Sequence, residues 1–280
     1  MKIVVTGAKG QLGQDVVKLL GPKHEIYGLS RDQLDITNEA DCLQVITDIN
    51  PDVIIHSAAY TAVDLAETNE DIAFRINGDG TKYLTLAAER VGAKFVYIST
   101  DYVFDGTATR SYKEDDVTNP QSVYGKSKQA GEIHVQAISS KHFIVRTSWV
   151  YGVHGQNFVK TMLHLAKTRD SLKVVNDQLG SPTYTVDLVT FLEQLIQTEH
   201  YGVYHASNSG VCTWYDFACA IFEESGVTIH VEPCTTEEFP RPARRPRNSS
   251  MEHGAILANG FEDLRVWREG LRAFLKEYQG

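Results

Sequence analysis

The chain has 280 residues, 42% hydrophobic and 22% charged, with a formal net charge of −9. That length suits one large domain or two unequal ones. The acidic balance argues against nucleic acid or an anionic membrane as partner, since both attract a basic surface. Four cysteines (Cys42, Cys212, Cys219, Cys234) show no C-x-x-C pairing, so they read as reduced thiols rather than a disulfide framework or a zinc site. Met1-Lys2 leads straight into an apolar run without a leader pattern. No apolar stretch approaches the ~20 residues of a membrane span, so the expected compartment is the cytoplasm.

In chain order, apolar runs of strand length alternate with helical periodicity. Ile3 to Val5, Glu25 to Leu29, Val53 to Ser57, Phe95 to Ser99 and Phe143 to Arg146 have the Val, Ile, Phe and Tyr content of buried parallel strands. Between them, Leu12, Val16 and Leu20 recur at helical spacing before Gly21-Pro22, and Leu43, Ile46 and Ile49 do so before Asn50-Pro51. A longer helical stretch from Ile72 to Val91 is interrupted by Gly78 and Gly80 and ends at Gly92. This βαβ alternation predicts an α/β fold, a doubly wound parallel sheet of Rossmann type.

Beyond Tyr151 the rhythm loosens. Helices are expected at Phe158 to Lys167 and Val186 to Ile196, with strands at Leu172 to Val175 and Val203 to His205. Thr213-x-x-Asp216 reads as a capping box opening a helix that ends at Gly226. Pro233 to Ser250 is rich in Pro and Arg and reads as irregular. A last helix is expected to carry Leu264, Trp267, Leu271 and Phe274 on one stripe. The division expected is 1–150 for a dinucleotide-binding domain and 151–280 for a smaller substrate lobe interleaved with it.

The sequence Val5-Thr-Gly-Ala-Lys-Gly-Gln-Leu-Gly13 places three glycines at the first βα turn. Gly7, Gly10 and Gly13 there would let the backbone of Gly10, Gln11, Leu12 and Gly13 approach a pyrophosphate at the helix N-terminus. The spacing is G-x-x-G-x-x-G, which alone is a weak signal for a dinucleotide against a tight packing turn. An acidic residue at the end of the second strand normally takes the adenosine ribose. Ser30-Arg31 stands there instead, which suits the 2′-phosphate of NADPH, with Asp35-Ile36 flanking the adenine.

Tyr124 and Lys128 are four residues apart at the start of a helical pattern, which puts phenol and ammonium on one face. A phenol with its ordinary pKa near 10 is a poor proton donor or acceptor at neutral pH. An adjacent cation is expected to lower that value towards the working range. Ser99-Thr100 follows a predicted strand, so its hydroxyls lie at the carboxyl end of the sheet, where ligands of such folds bind.

These residues resemble the extended short-chain dehydrogenase/reductases. The glycine turn and Tyr124/Lys128 mark that superfamily. The narrower resemblance, to the dTDP-4-dehydrorhamnose reductase family, covers nearly the whole chain. It runs through Leu34-Asp-Ile-Thr37, His56-Ser-Ala-Ala-Tyr-Thr-Ala-Val-Asp64, Ser99-Thr-Asp-Tyr-Val-Phe-Asp-Gly106, Arg146-Thr-Ser-Trp-Val-Tyr-Gly152, Asp177-Gln-Leu-Gly-Ser-Pro-Thr183 and Arg241-Pro-Ala. The resemblance implies that Gly10 to Gly13, Ser30, Asp35, Ile36, Ala58, Ala59, Tyr60, Tyr124 and Lys128 lie at the cofactor. It implies Val63, Thr100, Asp101, Tyr102 and Trp149 around a nucleoside-diphosphate sugar. Relatives vary at Ser30-Arg31, some accepting both NADH and NADPH, so NADPH is the expected cofactor with NADH as the alternative.

The implied reaction reduces the C4 keto group of a dTDP-linked sugar, with Thr100, Tyr124 and Lys128 catalytic. Arg241, Arg244, Arg245 and Arg247 are candidates for the diphosphate, and a solvated basic loop is an equal reading. Asp187 and the other carboxylates show no metal-ligand spacing, so a magnesium requirement does not follow from the pattern. A homodimer is left open. The rival readings are a sugar-nucleotide 4-epimerase or 4,6-dehydratase of the same superfamily, or a non-catalytic NADP-binding subunit like that of methionine adenosyltransferase. A dehydratase of this type carries Asp-Glu after the threonine, whereas Asp101 is followed here by Tyr102.

Overall fold

The computed structural model describes residues 1–279. Strands β1 (Lys2–Thr6), β2 (Glu25–Leu29), β3 (Val53–His56), β4 (Lys94–Thr100) and β5 (His142–Thr147) form one sheet, with Gly202–His205 at its edge beside β5. The order is β2-β1-β3-β4-β5 followed by the Gly202–His205 strand, and every neighbouring pair is parallel. The strand order reverses between β1 and β3. In an open parallel sheet such a reversal opens a crevice beyond the carboxyl ends of the strands.

Alternation along each strand divides the core into two layers. Ile3, Val5, Val53, Ile55, Val96, Phe143 and Val145 face Leu12, Val16 and Leu20 of α1 (Gln11–Leu20) and the apolar stripe of Thr185–Leu195. Val4, Ile54, Phe95, Tyr97 and Ile144 face the other way, towards α2 (Glu39–Ile49) and the long helical segment that follows β3. That segment begins with the short α3 (Val63–Ala66) and continues as α4 (Glu70–Phe74), a π-helical turn Arg75–Asp79 and α5 (Gly80–Val91). The interruption expected from Gly78 and Gly80 is thus a widened turn, not a break. α6 (Val123–Ile138) closes this layer.

After Tyr151 the chain leaves and rejoins the main sheet. Helix Thr185–Leu195 packs on α1 and Gly202–His205 extends the sheet, while a separate core gathers Tyr151, Val159, Leu172, Phe217, Leu271 and Phe274. The Thr213/Asp216 capping box is present at the start of helix Trp214–Ser225, which ends at Gly226. Two expectations need correction. The last helix begins at Trp267, so Leu264 lies before it and is buried in the main-sheet core. Pro233 sits inside a strand, His230–Cys234, paired in parallel with Ser171–Val175; that pair has no third strand, so the missing N–H of Pro233 is tolerated. Among the described residues no helix is long and apolar enough to cross a membrane, and all four cysteines are unpaired.

Candidate active site

A cleft of about 1090 Å³ opens at the carboxyl ends of the main strands. Gly7, Gly10, Gln11, Leu12 and Gly13 line it from the turn after β1. Ser30, Arg31, Asp35 and Ile36 follow β2, and Ala58, Ala59, Tyr60 and Val63 follow β3. Thr100, Asp101 and Tyr102 come from the end of β4, Tyr124 and Lys128 from α6, and Trp149 from beyond β5. The residues expected at the cofactor and around the sugar therefore face one space, the four arginine candidates excepted.

The three glycines of the first turn have different reasons. Gly7 has φ +68°, and a Cβ on it would lie 2.8 Å from the Ala58 backbone. A Cβ on Gly13 would lie 2.2 Å from the Gly7 carbonyl. Both are demanded by the packing of the turn on itself and on β3. Gly10 is the N-cap of α1 and supplies no side chain to it. The first N–H groups of α1 therefore have no capping side chain and lie on the cleft, which is the arrangement an anionic pyrophosphate needs. After β2, the Ser30 N–H and hydroxyl both donate to Gln33 Oε1 at 3.0 Å. Arg31 is exposed. Its charge and that of Arg75 help hold Asp35 below the usual carboxylate range, after the larger effect of the Thr37 N–H and hydroxyl.

α6 starts where Ser122 Oγ accepts from Gly125 N at 3.1 Å. Lys128, one turn beyond Tyr124, is only 2% exposed, with its Nζ 4.1 Å from the centre of the Tyr97 ring. Burial pulls the ammonium down to about 7, against an opposing pull from Glu132. Tyr124 is pushed up to about 12, first by burial, with Thr100 opposing and the charge of Asp101 adding to the rise. The expectation that Lys128 draws the phenol down is therefore corrected. The ammonium packs over Tyr97, and desolvation outweighs any help it gives the phenolate. At neutral pH Tyr124 holds its proton. Thr100 Oγ1 donates to Asp101 Oδ1 at 3.0 Å and accepts from Tyr102 N at 3.2 Å. Asp101 is 2% exposed, is raised to about 6 chiefly by burial, and its Oδ2 has no hydrogen-bond partner.

Trp149 has φ +47°, the left-handed region that costs a residue with a Cβ about 1 kcal/mol or more. Its indole is stacked on Trp214 at 3.6 Å between ring centres and 11° between planes. Gly180 leaves room for it, since a Cβ there would fall 2.6 Å from the ring. The Ser148 hydroxyl, donating to the Ser181 carbonyl at 2.6 Å, anchors the turn. The four arginines do not line the cleft. Arg245 pairs with Asp64 at 2.9 Å, next to the cleft residue Val63, and Arg244 reaches Gln121 at 3.4 Å. Arg247 meets Glu237 at 3.7 Å with both exposed, and Arg241 lies over the Phe239 ring.

Other cleft residues, among them Lys9, Arg75, Ser148, Gln156 and Trp214, were not singled out as site residues in the sequence. Lys9 lies inside the glycine turn and its charge was a readable signal. Trp214 arrives from the first turn of helix Trp214–Ser225, far along the chain, and nothing local marks it.

A glycine turn at β1, a hydroxyl at the end of β4 and a Tyr-x-x-x-Lys helix around one crevice define a dinucleotide-binding α/β protein of the extended short-chain dehydrogenase/reductase type. A family model described as "RmlD substrate binding domain" matches residues 1–280, and the chain belongs to that family. It is 45% identical over 277 residues to the spore coat polysaccharide biosynthesis protein SpsK of Bacillus subtilis, covering 99% of this chain and 97% of that one. A dTDP-4-dehydrorhamnose reductase from Clostridium acetobutylicum has a solved structure that superposes with a TM-score of 0.98, at 47% identity over 100% of both chains. The dTDP-4-dehydrorhamnose reductase of Bacillus anthracis, solved in complex with NADP, gives 0.97 at 46% identity over 99% of both.

Proposed function

We propose that this chain reduces the C4 keto group of dTDP-4-dehydro-6-deoxy-L-mannose to give dTDP-L-rhamnose, with NADPH as the reductant and NADH as a second one. The observation that carries the reading is the convergence of Thr100, Tyr124 and Lys128 on the same cleft as the uncapped start of α1, in a chain of this family.

When bound, the reduced nicotinamide supplies a hydride to the sugar carbon. The residues of the chain manage the rest. Tyr124, protonated at neutral pH, donates its phenolic proton to the oxygen that becomes an alkoxide. Thr100 turns its hydroxyl from Asp101 Oδ1 to that oxygen and orients it. Lys128 holds positive charge beneath the phenol as the phenolate forms and offers its ammonium to the ribose of the cofactor. Gly10 to Gly13 receive the pyrophosphate, and Arg31 meets a 2′-phosphate. Trp149, fixed by Trp214, offers a flat apolar wall to the sugar nucleotide, and binding that remote part of the substrate orients C4.

The purified protein, mixed with NADPH and dTDP-4-dehydro-6-deoxy-L-mannose, should consume the absorbance of the reduced nicotinamide at a steady rate. No oxidation with that sugar, but steady turnover of an unreduced nucleotide sugar, would replace the proposal with a 4-epimerase.

A further inference from the structure

Glu132 is a buried carboxylate beneath the cleft to which the reaction above gives no part. It lies one helical turn beyond Lys128 and is 3% exposed. Its Oε1 accepts from Ser99 Oγ at 2.6 Å and from Arg146 Nε at 2.9 Å, and its Oε2 accepts from Arg146 Nη2 at 2.8 Å. Arg146 is 4% exposed and also donates to the Glu114 carbonyl at 3.2 Å and to His205 Nε2 at 3.4 Å.

The titratable groups facing this region are His56 on β3, Tyr97 on β4, Asp101 beyond β4, Tyr124 and Lys128 on α6, Arg146 on β5 and His205 on the edge strand. Burial drops both histidines to about 3 and raises Tyr97, so all three are neutral around pH 7. Glu132 and Arg146 pair with each other, and Lys128, brought down to about 7, and Asp101, raised to about 6, are the groups that change charge near neutral pH. A buried ion pair by itself seldom stabilises a fold more than apolar packing would. This one is tied to the reacting face at two points. Ser99 immediately precedes Thr100, and Glu132 is the carboxylate whose charge acts on Lys128.

We infer that Glu132 is a positioning residue of the reaction: clamped by Arg146 and Ser99, it sets a fixed carboxylate one helical turn from Lys128 at the floor of the cleft and fixes the end of β4 that presents Thr100. This rests on the reductase reading and adds to it the carboxylate that acts on its lysine. Side chains one turn apart on a helix are about 5–6 Å apart at Cβ, close enough for a lost carboxylate to move a buried ammonium by about one pH unit.

The test is Glu132→Gln, which keeps the shape and removes the charge. Turnover at saturating NADPH is followed from pH 6 to 10 for both proteins, with thermal unfolding alongside. The alkaline limb of the variant should fall about one pH unit lower, with roughly ten-fold less turnover at its high-pH end and a KM for the sugar within about two-fold. Because the single change leaves Arg146 without its counter-charge, Glu132→Gln/Arg146→Met serves if it does not fold, and its alkaline limb should shift in the same direction. A folded variant that melts lower but keeps the parental pH profile gives Glu132 a purely structural role and overturns the inference alone. A parent inactive towards the keto sugar at every pH overturns the reductase reading and the inference with it.

Discussion

Replacing Lys128 by Met should make the cofactor-free protein more stable while removing its activity. The ammonium is 2% exposed, and its pKa falls from the ordinary 10.5 to about 7 because burial penalises the charged form. A lysine whose pKa is lower folded than unfolded is a destabilising group wherever the unfolded chain binds the extra proton. The cost is absent well above pH 10.5, grows as pH falls towards 7 and is complete below that. At ~1.4 kcal/mol for each pH unit the ceiling is on the order of 5 kcal/mol. Losing the ammonium's contact with the Tyr97 ring returns about 0.5–2 kcal/mol of that, and local relaxation returns more. A gain of about 2–3 kcal/mol is expected near pH 7, equivalent to a melting temperature roughly 3–5 °C higher in a chain of this size. Glu132 keeps its bonds to Arg146 and Ser99, so the substitution strands no buried charge. Thermal unfolding of both proteins without cofactor, from pH 7 towards pH 10.5, is the assay. A Met variant that melts below the parent at pH 7, or a gap that does not shrink as pH rises, refutes the reasoning.

Tyr124→Phe should leave the fold and NADPH binding nearly intact, at a cost of about 1 kcal/mol at most for one hydrogen bond, while turnover drops ~100-fold to 10,000-fold, the range for a lost general acid; a well-folded variant working at the parental rate would remove the phenol from the mechanism. Arg31→Ala should weaken NADPH about 10-fold to 100-fold, the worth of a charge-assisted hydrogen bond, and leave NADH almost unchanged; titrations with both cofactors check this, and equal losses would take Arg31 out of the site. Trp149→Phe should raise the KM for the sugar nucleotide roughly 3-fold to 10-fold with cofactor affinity kept, since part of the stacked surface is lost; unchanged kinetics with a lower melting temperature would show the indole to be core alone.

The local features that a one-dimensional pattern encodes were legible. The strands β1 to β5 are short apolar runs and their helices have periodic stripes, so the parallel sheet and its first turn follow from the order of residues. Capping chemistry is equally local, as the Thr213/Asp216 box shows. Ser99-Thr100 and Tyr124-x-x-x-Lys128 could be joined because parallel strands put every carboxyl end on one side. What depended on tertiary structure was anything set by distant neighbours. Gly202–His205 completes the main sheet from 55 positions beyond β5's last residue, Thr147, because its partner strand is exposed there until that segment returns. Trp214 meets Trp149 from 65 positions further along the chain, and Arg245 finds Asp64 rather than the cleft. The protonation of Tyr124 and Lys128 reversed the simple expectation. The spacing in Tyr124-x-x-x-Lys128 says that the two groups are neighbours, but only the packing around them sets how much water each retains. That desolvation moves the phenol to about 12 and the ammonium to about 7.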